Sequence, residues 1–212
     1  MANVLFDFDG TLFDTYDGVS RCVNHALEAM GRNRLDESVL RRFLGPPIPM
    51  SFREYAGLDG EDVERATALF RAEYSERGLY ESRPYDGIKE LLARLKARGV
   101  TTAIASSKPQ QAIDTLLKRN AMEGLFDRVV GVSGVRQSPD KSDILLAAAS
   151  EKDAVMVGDR LYDINAAKSC GFKSVGVTYG FGSEEELKAA GADEIAKDCE
   201  ELERKLEKLL RR

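Results

Sequence analysis

The segment "VLFDFDGTLFD", residues 4–14, decides the fold prediction for this sequence. It is strongly apolar, yet it contains Asp7 and Asp9. Residues 3–8 predict a β-strand, because this apolar run is too short for a helix and is followed by turn-forming residues. Side chains two positions apart in a strand point the same way, so both carboxylates are predicted to project from its carboxyl end. Open parallel sheets bind their ligands at that edge.

Two neighbouring carboxylates need a physical reason to be there. Capping of the following turn explains one aspartate after a strand. A second one adds repulsion of about 1 kcal/mol in water, and several times more once water is excluded. A bound cation is the simplest reason to tolerate this repulsion, so Asp7 and Asp9 indicate a metal site.

A second acidic segment, "VMVGDRLYD" at 155–163, supports the metal site. Asp159 and Asp163 follow another apolar run, and the carboxyl ends of parallel strands meet at one edge of a sheet. Four oxygen ligands from Asp7, Asp9, Asp159 and Asp163 favour Mg²⁺ over Zn²⁺ or copper. Alone, the second segment is a weak signal, because turns and helix N-termini are rich in both Gly and Asp. Together with the first segment it becomes strong.

Hydroxyls and ammonium groups follow two further predicted strands. "AIASSKP" contains Ser106, Ser107 and Lys108, and "SPDKSD" contains Lys141. Beside a metal and carboxylates, these groups suit a phosphate dianion, so all four are predicted to bind substrate. Two other interpretations stay open: residues 106–109 also fit a helix N-terminus, and a lysine in isolation is most often merely solvated.

Strands and helices alternate along most of the chain, which predicts an α/β fold with a doubly wound parallel sheet and a Rossmann-like core. Residues 15–83 break the alternation with apolar stripes at helical spacing, and so predict an inserted all-helical domain. Residues 1–14 and 84–212 are predicted to form the α/β domain, and residues 198–212 a terminal helix docked on it. Strands are predicted at 3–8, 100–105, 128–132, 153–157 and 173–177, and helices at 86–98, 109–119, 141–149, 162–170 and 184–190.

The composition of the chain indicates which partners and which cellular compartment to expect. The 31 basic residues are scattered among 36 acidic ones, for a formal net charge of −5, so neither a nucleic acid nor a membrane is an expected partner. A cytoplasmic location is expected, because the N-terminus does not resemble a signal peptide and three widely spaced cysteines fit a reducing compartment. A monomer and a homodimer both stay open.

The sequence lacks the motifs of two phosphatase classes and of nucleotide-binding loops, which limits the possible reaction mechanisms. His25 is the single histidine, so a two-histidine phosphatase mechanism is excluded. None of the three cysteines has an arginine six positions later, as the thiolate phosphatase loop requires. The sequence also lacks the glycine-rich GxxxxGK[ST] and GxGxxG loops. An aspartate nucleophile is what remains.

At this point the motifs show a resemblance to the haloacid dehalogenase superfamily over essentially the whole chain. Its four ordered motifs match DFDGT at 7–11, Ser106 in "IASSK", Lys141, and GDRLYD at 158–163. Further segments resemble the phosphoglycolate phosphatase and 5′-nucleotidase-like branch, namely "FLGPPIPMSF", "YDGIKELL", "SSKP", "YGFGSEEEL" and "GADEI". The resemblance implies that the helical insertion is a cap domain.

The resemblance further implies a Mg²⁺-dependent phosphomonoester hydrolase. Its substrate would be a small phosphorylated metabolite, such as 2-phosphoglycolate or a nucleoside 5′-monophosphate. Asp7 would be the nucleophile that forms an aspartyl phosphate, and Asp9 the general acid and base. Asp7, the backbone carbonyl of Asp9, and Asp159 would hold the metal, while Asp163 would orient its waters. True dehalogenases lack the second aspartate, so halide removal is disfavoured.

In the same way, Ser106 would hydrogen-bond a phosphoryl oxygen and Lys141 would offset the negative charge, with Lys108 as an alternative to Lys141. Arg42 and Arg53 beside the loop at 45–49 could bind a substrate carboxylate, but solvated helix charges explain them better. Two other functions remain as alternatives: a phosphomutase of the same superfamily and a non-catalytic binding or regulatory member.

Overall fold

A computed structural model describes residues 3–133, 140–151 and 153–210. The chain divides into two compact units, one of residues 1–13 with 84–212 and the other of residues 14–83. These bounds lie within one residue of the predicted domains. The roles of catalytic core and cap stay predictions.

Six parallel strands form the main sheet of the larger unit, in the order β5-β4-β1-β6-β7-β8. The strands of the described residues are β1 (Asn3–Phe6), β2 (Phe13–Asp14), β3 (Arg83–Pro84), β4 (Thr101–Pro109), β5 (Arg128–Val132), β6 (Ala154–Gly158), β7 (Lys173–Val177) and β8 (Glu194–Ala196). β2 and β3 pair separately with each other. The central strand β1 pairs with β4 on one side and β6 on the other, so the strand order reverses beside it. Ligands of open α/β sheets bind at such a position.

Helices complete the larger unit: α5 (Ile88–Ala97), α6 (Gln110–Arg119), α7 (Lys141–Ala148), α8 (Leu161–Ser169), α9 (Glu184–Ala190) and α10 (Cys199–Leu210). Leu5, Ala103 and Met156 share one face of the sheet and pack in a buried cluster with side chains of α7 and α8. Side chains alternate along a strand, so Val4 and Phe6 point to the opposite face, where they are also fully buried. Burial on both faces explains why the strands are almost continuously apolar.

The smaller unit is helical and contains α1 (Tyr16–Ala29), α2 (Glu37–Leu40), α3 (Ile48–Tyr55) and α4 (Gly60–Glu76). α1 packs against α4, and the Phe52 ring makes edge contacts with Phe43 and Phe70. The Arg42 guanidinium lies 4.1 Å from the centroid of the Tyr55 ring. Arg53 is exposed.

The α/β parallel-sheet prediction is confirmed, but some details differ. β1 ends at Phe6, two residues earlier than predicted, because the chain turns at residues 7–13. β4 continues to Pro109 through an irregularity after Ala105. β8 was not predicted, since three residues carry too little periodicity to be recognised. The predicted terminal helix is present as α10, which packs on β7, β8 and α5.

Within the described ranges, none of the helices combines the length and the apolar character needed to cross a bilayer.

Candidate active site

The loop after β1 begins at Asp7 and folds back on itself. The Asp7 N–H donates to the Val157 carbonyl at 2.9 Å, and the Gly10 N–H donates to the Phe13 carbonyl at 2.8 Å. Gly10 has φ of +80°, and a Cβ there would lie 2.2 Å from Oδ2 of Asp159. Only glycine combines this backbone conformation with so close an approach. The turn therefore brings the end of β1 against the end of β6.

Three carboxylates meet at this edge. Asp7, Asp159 and Asp163 each offer an oxygen within 4.8 Å of the others, and all three side chains are buried. Asp159 follows β6 directly, and Asp163 lies in the first turn of α8, where it accepts a hydrogen bond from the Arg160 N–H at 3.2 Å. We refer to these three residues as the carboxylate cluster.

Two loops hold the carboxylate of Asp159. Its Oδ1 accepts a hydrogen bond from Oγ1 of Thr11 at 3.3 Å, and its Oδ2 accepts one from the Phe181 N–H at 2.8 Å. The second loop lies so close that a Cβ on Gly180 would be 2.2 Å from the Gly10 carbonyl oxygen. No functional role was predicted for this loop, although its glycines between β7 and α9 are typical of a close backbone approach.

Lys141 contacts the carboxylate cluster from the start of α7. Its Nζ lies 2.5 Å from Oδ1 of Asp7 and 3.0 Å from Oδ1 of Asp163. Asp140 caps this helix, since its side chain accepts a hydrogen bond from the Ser142 N–H at 2.8 Å. Lys141 therefore begins a capped helix directed at the site.

Burial dominates the electrostatics of the carboxylate cluster. It raises the pKa of Asp159 well above its usual range, and the charges of Asp163 and Asp7 raise it further. Burial also raises the pKa of Asp163 to about 6, with Lys141 opposing and Asp7 reinforcing the shift. Burial alone would lower the pKa of Lys141, but the attraction of Asp163 and Asp7 outweighs it and raises the pKa. Three carboxylates facing one ammonium leave an excess of negative charge that a divalent cation would neutralise.

The donor set fits Mg²⁺. Asp7, Asp159 and Asp163 offer only oxygen atoms, which hard divalent cations prefer, and no thiol or imidazole belongs to this group of described residues.

Asp9 is not a member of the carboxylate cluster. Its Oδ1 lies 2.8 Å from Nζ of Lys108 instead. Ser106 is buried, and its Oγ accepts a hydrogen bond from the Lys108 N–H at 3.3 Å, whereas Ser107 is exposed. Of the predicted site residues, the structure thus brings Lys141 to the carboxylate cluster and Lys108 to Asp9.

Comparison with known proteins identifies the family. Residues 4–177 match the haloacid dehalogenase-like hydrolases. The chain belongs to this family. Among its relatives in the family is a 5′-nucleotidase from Pseudomonas aeruginosa, 35% identical over 210 residues that cover 97% of this chain and 95% of the relative.

Two further similarities are informative. A predicted phosphatase from Clostridium acetobutylicum has a crystal structure that matches with a TM-score of 0.90 at 38% identity, covering 98% of each chain. The tyrosine-protein kinase PtkA of Mycobacterium tuberculosis is 35% identical over 184 residues, which cover 84% of this chain and 62% of that protein. Family membership and the relatives named for phosphate-ester hydrolysis identify this enzyme as a phosphatase of the haloacid dehalogenase-like hydrolases.

Proposed function

We propose that this phosphatase is a Mg²⁺-dependent phosphomonoester hydrolase that works through an aspartyl phosphate on Asp7. The observation that carries the proposal is the contact between Asp7 and Lys141 at 2.5 Å inside a cluster of three buried carboxylates. The cluster combines a nucleophilic oxygen, a cation site and a fixed positive charge at the edge where the sheet binds ligands.

In the first step, a carboxylate oxygen of Asp7 attacks the phosphorus of the ester. The bond between phosphorus and the ester oxygen breaks, and Asp9 donates a proton to the departing oxygen. The products of this step are the free alcohol and the aspartyl phosphate. The Asp9 side chain is 23% exposed, so it can exchange its proton with solvent during the reaction.

In the second step, a water molecule attacks the phosphorus of the aspartyl phosphate. Asp9, now ionised, accepts a proton from that water, and the bond between phosphorus and the Asp7 oxygen breaks. Inorganic phosphate leaves, Asp7 is again a free carboxylate, and Asp9 is again protonated. One ester and one water thus become one alcohol and one phosphate.

Asp7 and Asp159 would hold the Mg²⁺, together with the backbone carbonyl of Asp9, and Asp163 would orient the water molecules of the ion. The bound ion would supply positive charge next to the phosphate dianion. Lys141 offsets the charge that remains where Asp7 meets the dianion. Ser106 would hydrogen-bond a phosphoryl oxygen, with the exposed Ser107 as a further contact.

For the substrate, we propose a small phosphorylated metabolite, with nucleoside 5′-monophosphates as the first candidates. The similarity to a 5′-nucleotidase over nearly the full length of both chains supports this choice. 2-Phosphoglycolate is the second candidate, because several segments of the sequence resemble phosphoglycolate phosphatases.

The test is a panel of phosphate esters assayed for phosphate release with Mg²⁺, with a chelator, and with Mg²⁺ restored. We expect hydrolysis of at least one small ester, its loss with the chelator and its return with the ion. Folded protein that hydrolyses no ester would contradict the proposal in favour of a binding protein. Isomerisation of a sugar phosphate faster than phosphate release would favour a phosphomutase, and transfer to a tyrosine peptide would favour a kinase.

A further inference from the structure

Lys108 is a buried cation outside the carboxylate cluster. Its side chain is 5% exposed, yet it ends beside Asp9 at an N–O distance of 2.8 Å. Burying an ammonium group without a carboxylate partner costs free energy. The contact with Asp9 therefore stabilises the buried position of the Lys108 side chain. The same contact draws the Asp9 carboxylate toward β4.

The surroundings of Lys108 fix where its ammonium lies. Its Nζ is 5.6 Å from the centroid of the Phe8 ring, which in turn stacks on Phe13 with a centroid distance of 4.5 Å. Its backbone N–H donates to Oγ of Ser106, within the irregular end of β4. The ammonium of Lys108 thus lies near the Phe8 ring, and the hydrogen bond to Ser106 constrains the backbone of the same residue.

The two lysines of the site have separate partners. Lys141 contacts Asp7 and Asp163, both members of the carboxylate cluster. Lys108 contacts Asp9, which is not a member. The exposure also differs within the second pair, since the Asp9 side chain keeps 23% of its surface accessible while Lys108 keeps 5%. A proton can thus reach the carboxylate, whereas the ammonium is largely covered.

We propose that Lys108 is a positioning residue for Asp9, which holds the proton-transferring carboxylate apart from the metal-binding carboxylates. This inference rests on the proposed phosphatase mechanism and replaces the phosphate-binding role predicted for Lys108 from the sequence. Lys108 acts through Asp9 and does not itself bind the transferred phosphoryl group.

The experiment compares two esters that differ in their need for a proton. An alkyl phosphate has a poor leaving group that must be protonated, whereas p-nitrophenyl phosphate has a good one that needs little assistance. We expect the Lys108→Met variant to lose about 100-fold or more in kcat/KM with the alkyl ester, and less than about fivefold with the aryl ester. KM for either ester should stay within about twofold of wild type.

Three companion variants sharpen this result. Lys108→Arg keeps the positive charge and should restore about tenfold of the lost activity. Lys118→Met removes an exposed lysine of α6 in the same unit and should behave as wild type. In an Asp9→Asn background, Lys108→Met should lower kcat/KM with the alkyl ester by no more than about twofold, because a residue that acts through Asp9 has nothing further to lose.

Several outcomes would overturn the inference. A KM raised about tenfold for both esters, with equal losses in kcat/KM, would make Lys108 a phosphate ligand. Full additivity with Asp9→Asn, or unchanged leaving-group dependence in Lys108→Met, would also exclude the positioning role. Circular dichroism and thermal unfolding check each preparation, and if Lys108→Met does not fold, Lys108→Gln carries the same comparison. A wild-type protein that hydrolyses neither ester would overturn the proposed function itself. An active wild-type protein, with equal losses for both esters in Lys108→Met, would overturn only the positioning role of Lys108.

Discussion

Asp7 and Asp9 lie two residues apart, but their carboxylates have different environments. Asp7 lies in the carboxylate cluster, in contact with Lys141, and is buried. Asp9 contacts Lys108 from a half-buried position. The difference shows that one short loop can place two carboxylates in different environments. We propose a different task for each: attack and metal binding for Asp7, and proton transfer for Asp9.

The largest expected effect is at Asp7. Asp7→Asn removes the nucleophile, so we expect turnover to fall at least about 1,000-fold for alkyl and aryl esters alike, with unchanged folding. Phosphate release and circular dichroism measure the two properties. Asp114→Asn, an exposed aspartate of α6, is the matched control and should keep full activity. Substantial hydrolysis by Asp7→Asn would remove Asp7 as the nucleophile.

Asp9 should differ from Asp7 in its dependence on the leaving group. Asp9→Asn cannot donate a proton, so kcat/KM with an alkyl ester should fall about 100- to 10,000-fold. The loss with p-nitrophenyl phosphate should be at least about tenfold smaller, because its leaving group needs little protonation. Steady-state kinetics with both esters measure this ratio. Equal losses for both esters would place Asp9 with Asp7 and remove the distinction between them.

A smaller effect is expected when the contacts that hold the Asp159 carboxylate in the carboxylate cluster are disturbed. Gly180→Ala inserts a Cβ 2.2 Å from the Gly10 carbonyl oxygen and 2.4 Å from Cβ of Asp159, so the carboxylate must shift. We expect metal affinity to fall about tenfold, as is typical when the partners of metal ligands are disturbed. Titration calorimetry with Mg²⁺ measures it directly.

The control is Gly124→Ala, since a Cβ there meets no atom within 4 Å. Equal Mg²⁺ affinity in Gly180→Ala and wild type would show that the loop after β7 has no part in holding Asp159.

The smallest effect concerns a carboxylate remote from these pairs. Hydrogen bonds from Lys205 and then Lys208 lower the pKa of Glu194 in β8. A lowered pKa stabilises the folded state above the unfolded-state pKa, and this contribution is lost as the pH falls through the folded-state pKa. We therefore expect Glu194→Gln to lower Tm by at most about 3 °C at pH 7.

Thermal unfolding of both proteins at pH 7 and in acid checks this expectation. The difference in Tm should shrink toward zero in acid, because wild-type Glu194 is then protonated as well. A difference that persists unchanged in acid would show that the pairs with Lys205 and Lys208 are not its origin.

Much of this architecture follows from the sequence alone. Alternating apolar strands and amphipathic helices determine a parallel α/β sheet, because only burial on both faces satisfies such strands. Aspartates placed directly after two of these strands are brought to a common edge by the parallel arrangement itself. The meeting of Asp7 with Asp159 is thus a consequence of local pattern plus one general rule of topology.

Only the tertiary structure decided how the charges pair. The contact between Lys108 and Asp9 joins residues 99 positions apart, and it depends on where β4 becomes irregular and on the early end of β1. The contact from the Phe181 N–H to Asp159 likewise depends on how closely two loops approach. Sequence periodicity determines which face a side chain occupies. Which partner a side chain contacts at a strand end depends on differences in position of about 1 Å, and only the packing of the whole chain determines these differences.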